Sequence, residues 1–311
     1  MKRSKIVLAL ATAAIVFAAS SANAAMITNS SGIWSDDTNW NTAAPTGSDD
    51  AVVSSGHTMS ADSTTASYTG TLTLGAGARI NASGGGSQNA WTGVSSITMN
   101  AGSVISDNSG SNHTVPAISL LGNAEWVAPF GASDWNTNDF GTIAGAFTWT
   151  TNGFNGHEFH YNAANTFSEY QANASDRHKI KVDAAGGLGT GDVHINQRGD
   201  QVTPNRSAEL SLNVQDTIAD TATLYINGPA NGGGFAGNGI NVVIVAGGVD
   251  EVVGGLSLWG TALPVGTYNG GDSTTDWLGG SGSITVVPEP ATMGLLAMGG
   301  LALLRRRRNR S

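Results

Sequence analysis

The sequence predicts an all-β protein whose body is a parallel β-helix, a solenoid of stacked coils. Three observations point there. Apolar alternation recurs in short runs bounded by Gly, Asn, Asp or Ser, such as Thr71-Leu72-Thr73-Leu74, Ser96-Ile97-Thr98-Met99 and Ala117-Ile118-Ser119-Leu120. Leu72, Ile97, Ile118 and Ile143 are separated by 25, 21 and 25 residues, a period that suits a strand, a turn, another strand and a turn. Gly makes up 43 of the 311 residues, and Gly, Ser, Thr and Asn fill the spaces between apolar positions, which disfavours long helices. A β-sandwich is the second reading, because the region after residue 190 approaches the roughly 8–12-residue strand spacing of hairpin-built sheets.

The chain divides into a leader (1–24), a body (25–287) and a tail (288–311). In the leader, Lys2, Arg3 and Lys5 precede an apolar stretch from Ile6 to Ala19, and Ala22-Asn23-Ala24 supplies a small-x-small cleavage site. This is the pattern of a secretory signal, with Ala25 as the first mature residue.

The body opens on Gly32-Ile33-Trp34, Asn39-Trp40 and Asp49-Asp50-Ala51-Val52-Val53. A solenoid exposes strand edges at its ends, and Trp34 and Trp40 are expected to plug the first coil. Gly75-Ala76-Gly77-Ala78 follows a strand and suits a tight corner. Further alternating runs follow at Ala208–Leu212, Ala222–Ile226, Val242–Val245 and Ser283–Val286.

Of the 21 aromatic residues, 11 lie between Trp126 and Tyr170. Two readings stay open for them. They line a wide coil, or Trp135 and Trp149 form a ligand surface that stacks on sugar rings. Asp176-Arg177-His178-Lys179-Ile180-Lys181-Val182-Asp183 concentrates both charge signs. Alternation puts Lys179 and Lys181 on one strand face and His178, Ile180 and Val182 on the other.

Several chemistries lack support. The chain has no Cys, which removes disulfides, thiolate metal sites and a cysteine nucleophile. His157-Glu158-Phe159-His160 falls short of His-Glu-x-x-His, and on a strand its two imidazoles face opposite ways. No metal site and no cofactor is expected. Asp36-Asp37 and Asp49-Asp50 read as turn residues, since no calcium loop surrounds them. There is no Gly-x-Ser-x-Gly elbow and no phosphate loop. Between the basic ends, six bases face all 23 acids, a net charge of −17, which argues against nucleic-acid binding.

The tail begins with Pro288-Glu289-Pro290, continues through the uncharged segment 291–304 and ends in Arg305-Arg306-Arg307-Arg308 and Arg310. The apolar segment is 14 residues long, short for a bilayer-spanning helix, and the Arg cluster marks a cytoplasmic stop-transfer end. These three parts in this order resemble the PEP-CTERM sorting signal of bacteria. That resemblance implies an exported protein whose tail forms a short transmembrane helix. It also implies that Pro288, Glu289 and Pro290 are read by an exosortase, a membrane-embedded transpeptidase, before the protein reaches the envelope, surface or extracellular space. The opening Trp34 and Trp40 motifs, Leu188-Gly189-Thr190-Gly191-Asp192-Val193 and Leu256-Ser257-Leu258-Trp259-Gly260 resemble autotransporter-passenger-like β-helix proteins. The expectation is a structural or adhesive protein of the cell surface or matrix and not an enzyme. The alternative is a β-helix that binds or degrades extracellular polysaccharide.

Overall fold

A computed structural model describes residues 25–62, 65–83, 93–108, 112–128, 137–153, 157–174, 178–196, 208–228, 242–272 and 277–287. The leader and the tail from Pro288 lie outside them. The body is a parallel β-helix. Its strands form one sheet of 11, one of seven, one of six and a terminal sheet of three.

The chain visits the sheets in turn. Thr71–Leu74 belongs to the six-stranded sheet, Arg79–Ser83 to the long sheet, and the next coil repeats the order with Ser96–Met99 and Val104–Asn108. At His113–Val115 a third strand joins the coil and founds the seven-stranded sheet; after Ile143–Ala144 the six-stranded sheet ends and later coils alternate between the other two. Each strand pairs in parallel with its equivalent one coil away, so a residue type chosen for the interior is stacked on its own copies.

The period read from the sequence is the register of the six-stranded sheet. Leu72 pairs with Ile97, Ile97 with Ile118 and Ile118 with Ile143. All four are buried. The long sheet stacks an inner row from Met59 through Ile80, Ile105 and Trp126 to Thr151, Ala172, Ile195 and Ile226. Facing it, the seven-stranded sheet aligns Phe159, Ile180, Leu210, Val243 and Leu278.

The corner between the six-stranded and long sheets is tight. Connections 54–57, 75–78 and 100–103 have four residues each. Gly56, Gly77 and Gly102 sit at φ 74°, 66° and 71° in successive coils, a conformation Gly adopts without the Cβ penalty. Each donates its N–H to the coil above: Gly56 to Ala76 O at 3.0 Å, Gly77 to Ala101 O at 2.9 Å and Gly102 to Asn123 O at 2.7 Å. The corner between the long and seven-stranded sheets is free in length. Connections 154–157 and 175–178 have four residues, but 128–136 has nine, 197–208 twelve and 228–242 fifteen.

Both ends are closed. At the start, residues 28–41 fold across the first coil through a short 3₁₀ turn, Asp37–Asn39. Trp34 and Trp40 are buried with ring centroids 5.0 Å apart, edge to face, and Trp40 Nε1 donates to Trp34 O at 2.8 Å. At the far end the pairing becomes antiparallel. Gly255–Leu258 turns back on Thr261–Ala262, and Gly266–Asn269 pairs with Ser283–Val286. The region after residue 190 is therefore not a sandwich. Parallel coils continue through Val193–Asn196, Thr223–Asn227 and Gly255–Leu258, with hairpins added only as the closure.

Candidate functional site: the sorting junction

The body ends on Ser283–Val286. This strand is flanked on both sides, in parallel by Asp250–Val253 and antiparallel by Gly266–Asn269. Alternation turns Ile284 and Val286 inward, where both are buried. Ser283 and Thr285 point outward and both donate to Asp250 Oδ1, at 2.7 and 3.0 Å. The Val287 N–H donates to Val253 O at 3.0 Å. One carboxylate and two neighbouring strands thus hold the chain up to the residue before Pro288.

The decisive observation is where the signal begins relative to that strand. Residues 286–308 match the PEP-CTERM protein-sorting motif. The PEP-CTERM motif overlaps the described fold at two residues, Val286 and Val287, and its remainder lies outside the described residues. It implies export and recognition by exosortase, a membrane protein. No curated protein and no solved structure matches the chain.

Pro288, Glu289, Pro290 and Arg305 to Arg308 lie outside the described residues, as do Ala22, Ala24 and Trp135. Ala25 is the first described residue and is half-buried. Among the described residues no helix is long and apolar enough to cross a membrane, and segment 291–304 is not among them.

Trp149 is corrected. It is fully buried and its Nε1 donates to Tyr161 Oη at 3.0 Å, so it cannot stack on a ligand. With Trp126, Phe140, Phe159, Tyr161, Phe167 and Tyr170, all buried, it fills the middle coils. Phe140 lies edge to face with Trp126 at 5.3 Å and with Trp149 at 5.8 Å, a favoured arrangement of ring quadrupoles.

The charged segment divides as alternation requires. His178, Ile180 and Val182 are buried, and Lys179 and Lys181 face out. His157 faces in and His160 out. His160 Nδ1 lies 3.0 Å from Asp139 and its Nε2 2.9 Å from Glu158, which also approaches Lys179 Nζ at 3.6 Å. Among the described residues no group of three or more His, Asp or Glu side chains is arranged to hold a metal ion. The acidic pairs act in turns: Asp36 accepts from Thr38 N at 3.0 Å, and Asp49 from Thr46 N at 3.1 Å.

Sequence reasoning gave His178 its face but no partner, and missed the inward Asp107, His113 and Glu251. Asp107 and His113 are buried 3.5 Å apart. His178 is packed on the Phe159 ring at 4.7 Å, 3.2 Å from Asn173 O and 3.4 Å from Thr151 Oγ1. Burial pushes its imidazole down to about 3, with the Asn173 carbonyl opposing and His157 adding to the fall. Glu251 is buried and accepts from Thr217 N at 3.2 Å and Ile218 N at 2.6 Å. Burial raises its carboxyl above the usual range, against those bonds. None of these groups reaches a surface, so their role is to fix loops and coils.

On the outer face of the long sheet, Asn152, Asn173, Asn196 and Asn227 are register partners. Asn227 Nδ2 donates to Asn196 Oδ1, and Asn196 Nδ2 to Asn173 Oδ1, both at 2.8 Å. Beside this ladder the His194 and Tyr225 rings stack at 4.4 Å, with 2° between their planes.

Proposed function

We propose that the chain is an exported, non-enzymatic protein of the cell surface or extracellular matrix, with a structural or adhesive role. Its tail delivers a finished solenoid to the sorting enzyme. The observation that carries this is the junction: the last strand is locked between two others immediately before Pro288. Body and signal are thus separate parts, one folded cargo and one address. The closed ends also support the reading. A solenoid with capped ends stays soluble and holds its outer faces for contact.

Intact-mass spectrometry of the protein from its native host, cell-bound and secreted, tests the reading. The expected species begins at Ala25 and ends near Pro288–Pro290. A species that retains the chain through Ser311 in every fraction overturns it.

Binding of extracellular polysaccharide is the second reading. The parallel His194–Tyr225 stack favours it, since the stack presents aromatic surface beside Glu169, whose Oε1 is 3.5 Å from His194 Nε2. Saturable polysaccharide binding that Tyr225→Ala abolishes would support it, and binding unaffected by that change would sink it.

A further inference from the structure

The closing hairpins of the solenoid carry a surface that the sorting reading leaves unused. From Gly254 to Gly271 the sequence contains no Asp, Glu, Lys or Arg, in a chain that holds 23 acids. This segment forms the strands Gly255–Leu258, Thr261–Ala262 and Gly266–Asn269, the last parallel strand of the long sheet and the two antiparallel strands that close the stack. It does not bury its apolar groups completely. Val265 is 61 % exposed, Pro264 is exposed, and Trp259, Leu263 and Tyr268 are half-buried. Trp259 holds φ 50° at the first turn, followed by Gly260 at 80°. Tyr268 Oη donates to Pro264 O at 2.8 Å and braces the second turn.

The exit of the tail lies beside this surface. Gly266 pairs with Val286 in the antiparallel sheet, so Val265 stands at the same sheet end as Val287. Only Pro288, Glu289 and Pro290 separate Val287 from the apolar segment that starts at Ala291. Four Cα steps reach about 14 Å at full extension. The polar interface of a bilayer is itself roughly 5–7 Å deep on each side. While the tail is seated, the linker can hold Val287 no farther than about 7–9 Å above the headgroup layer, so the end of the solenoid stays beside the membrane.

We propose that the terminal hairpins, centred on Val265, Trp259 and Tyr268, are a membrane-docking face that rests on the bilayer holding the protein's own tail until sorting is complete. The inference rests on the reading of the tail as membrane-seated. An acidic surface gains nothing from a lipid headgroup layer. An uncharged one with exposed Pro264 and Val265 and half-buried Trp259, Leu263 and Tyr268 does gain, because contact removes apolar area from water. The face also orients the body: its stacking axis points away from the membrane and the Pro-Glu-Pro segment is presented at the bilayer surface, where a membrane-embedded enzyme works.

The absence of Cys makes single-site labelling clean. The full chain is prepared as three variants, Val265→Cys, Ile33→Cys and Ala297→Cys, each carrying an environment-sensitive fluorophore. Each is reconstituted into phosphatidylcholine–phosphatidylglycerol vesicles that contain headgroup-level or acyl-level quenching lipids. Ile33 is the control, since it is 54 % exposed but at the opposite end of the stack. The expected result is acyl-level quenching of the Ala297→Cys label and headgroup-level quenching of the Val265→Cys label, about twofold or more above the Ile33→Cys label. A quenched Ala297→Cys label with Val265→Cys and Ile33→Cys alike overturns the docking face and leaves the seated tail standing. An unquenched Ala297→Cys label overturns the seated tail, and the docking face with it. Shielding of the Val265→Cys label that rises with protein concentration in detergent, without lipid, assigns the face to a second copy and overturns the proposal.

Discussion

The Val287 N–H reaches the Val253 carbonyl at 3.0 Å, so the pairing of the closing sheet runs up to the residue before Pro288. A chain stopped after Val287 is therefore expected to melt at the same temperature as the full protein. A chain stopped after Gly282 loses the central strand of the closing sheet and the buried Ile284 and Val286 side chains. At about 1.5–3 kcal/mol each for burial alone, that loss is expected to lower the melting temperature sharply. Thermal denaturation followed by circular dichroism checks both. Equal melting of the two truncations would show that the strand does not close the fold.

Trp149→Ala removes a buried indole that donates to Tyr161 and packs on Phe140. Large-to-small changes of this kind cost about 3–5 kcal/mol. A urea titration should show that loss with any ligand absent. A variant as stable as the parent would return Trp149 to the surface.

His178 ties stability to pH. Its folded value is about 3 against the ordinary 6.5. Between those values the unfolded chain binds a proton that the folded chain refuses, so stability falls as pH drops through 6.5. The loss approaches about 1.4 kcal/mol per pH unit. In urea midpoints measured between pH 7.5 and 5, His178→Gln should show a shallower decline than the parent. Parallel declines would clear His178 of the effect.

Asn196 is the middle of a ladder, donating to Asn173 and accepting from Asn227. Asn196→Ala breaks both bonds and should cost about 1–3 kcal/mol, two bonds at about 0.5–1.5 each. Asn196→Asp keeps the acceptor and loses the donor, so its loss should be smaller at neutral pH. Equal losses for the two variants would mean that the amide bonds do not carry the stability.

The first half of the solenoid was readable because its coils stay within 21–25 residues. Leu72, Ile97, Ile118 and Ile143 are at once a sequence period and a row of paired residues. Trp34 and Trp40 were readable as a plug, since two large rings near the start of an open stack have one good place to go. The later coils hid the same pattern. Ile180, Leu210, Val243 and Leu278 are partners at separations of 30, 33 and 35 residues, and the drift imitated a change of fold. The inward polar groups were readable only as faces: alternation set His178 beside Ile180 and Val182, but for His178, Asp107 and His113 it names no partner, and the partner comes from a neighbouring strand or coil. For Trp149 the sequence left two readings open, core lining and ligand surface, and its packing against Phe140 and Tyr161 decides for the core. The sorting motif was the reverse case, a linear signal that needs no tertiary context.

The two corners of each coil divide the labour of inheritance. Where Gly56, Gly77 and Gly102 stack, each turn hydrogen-bonds to the next, so an added residue there would break that chain of bonds. Where connections already run from four to fifteen residues, length has no bearing on the register of the strands that follow. New segments spliced there would be carried as passengers along one side of a rod. The same frame thus accepts new segments on one side while the stacking of its strands and its sorting motif stay as they are.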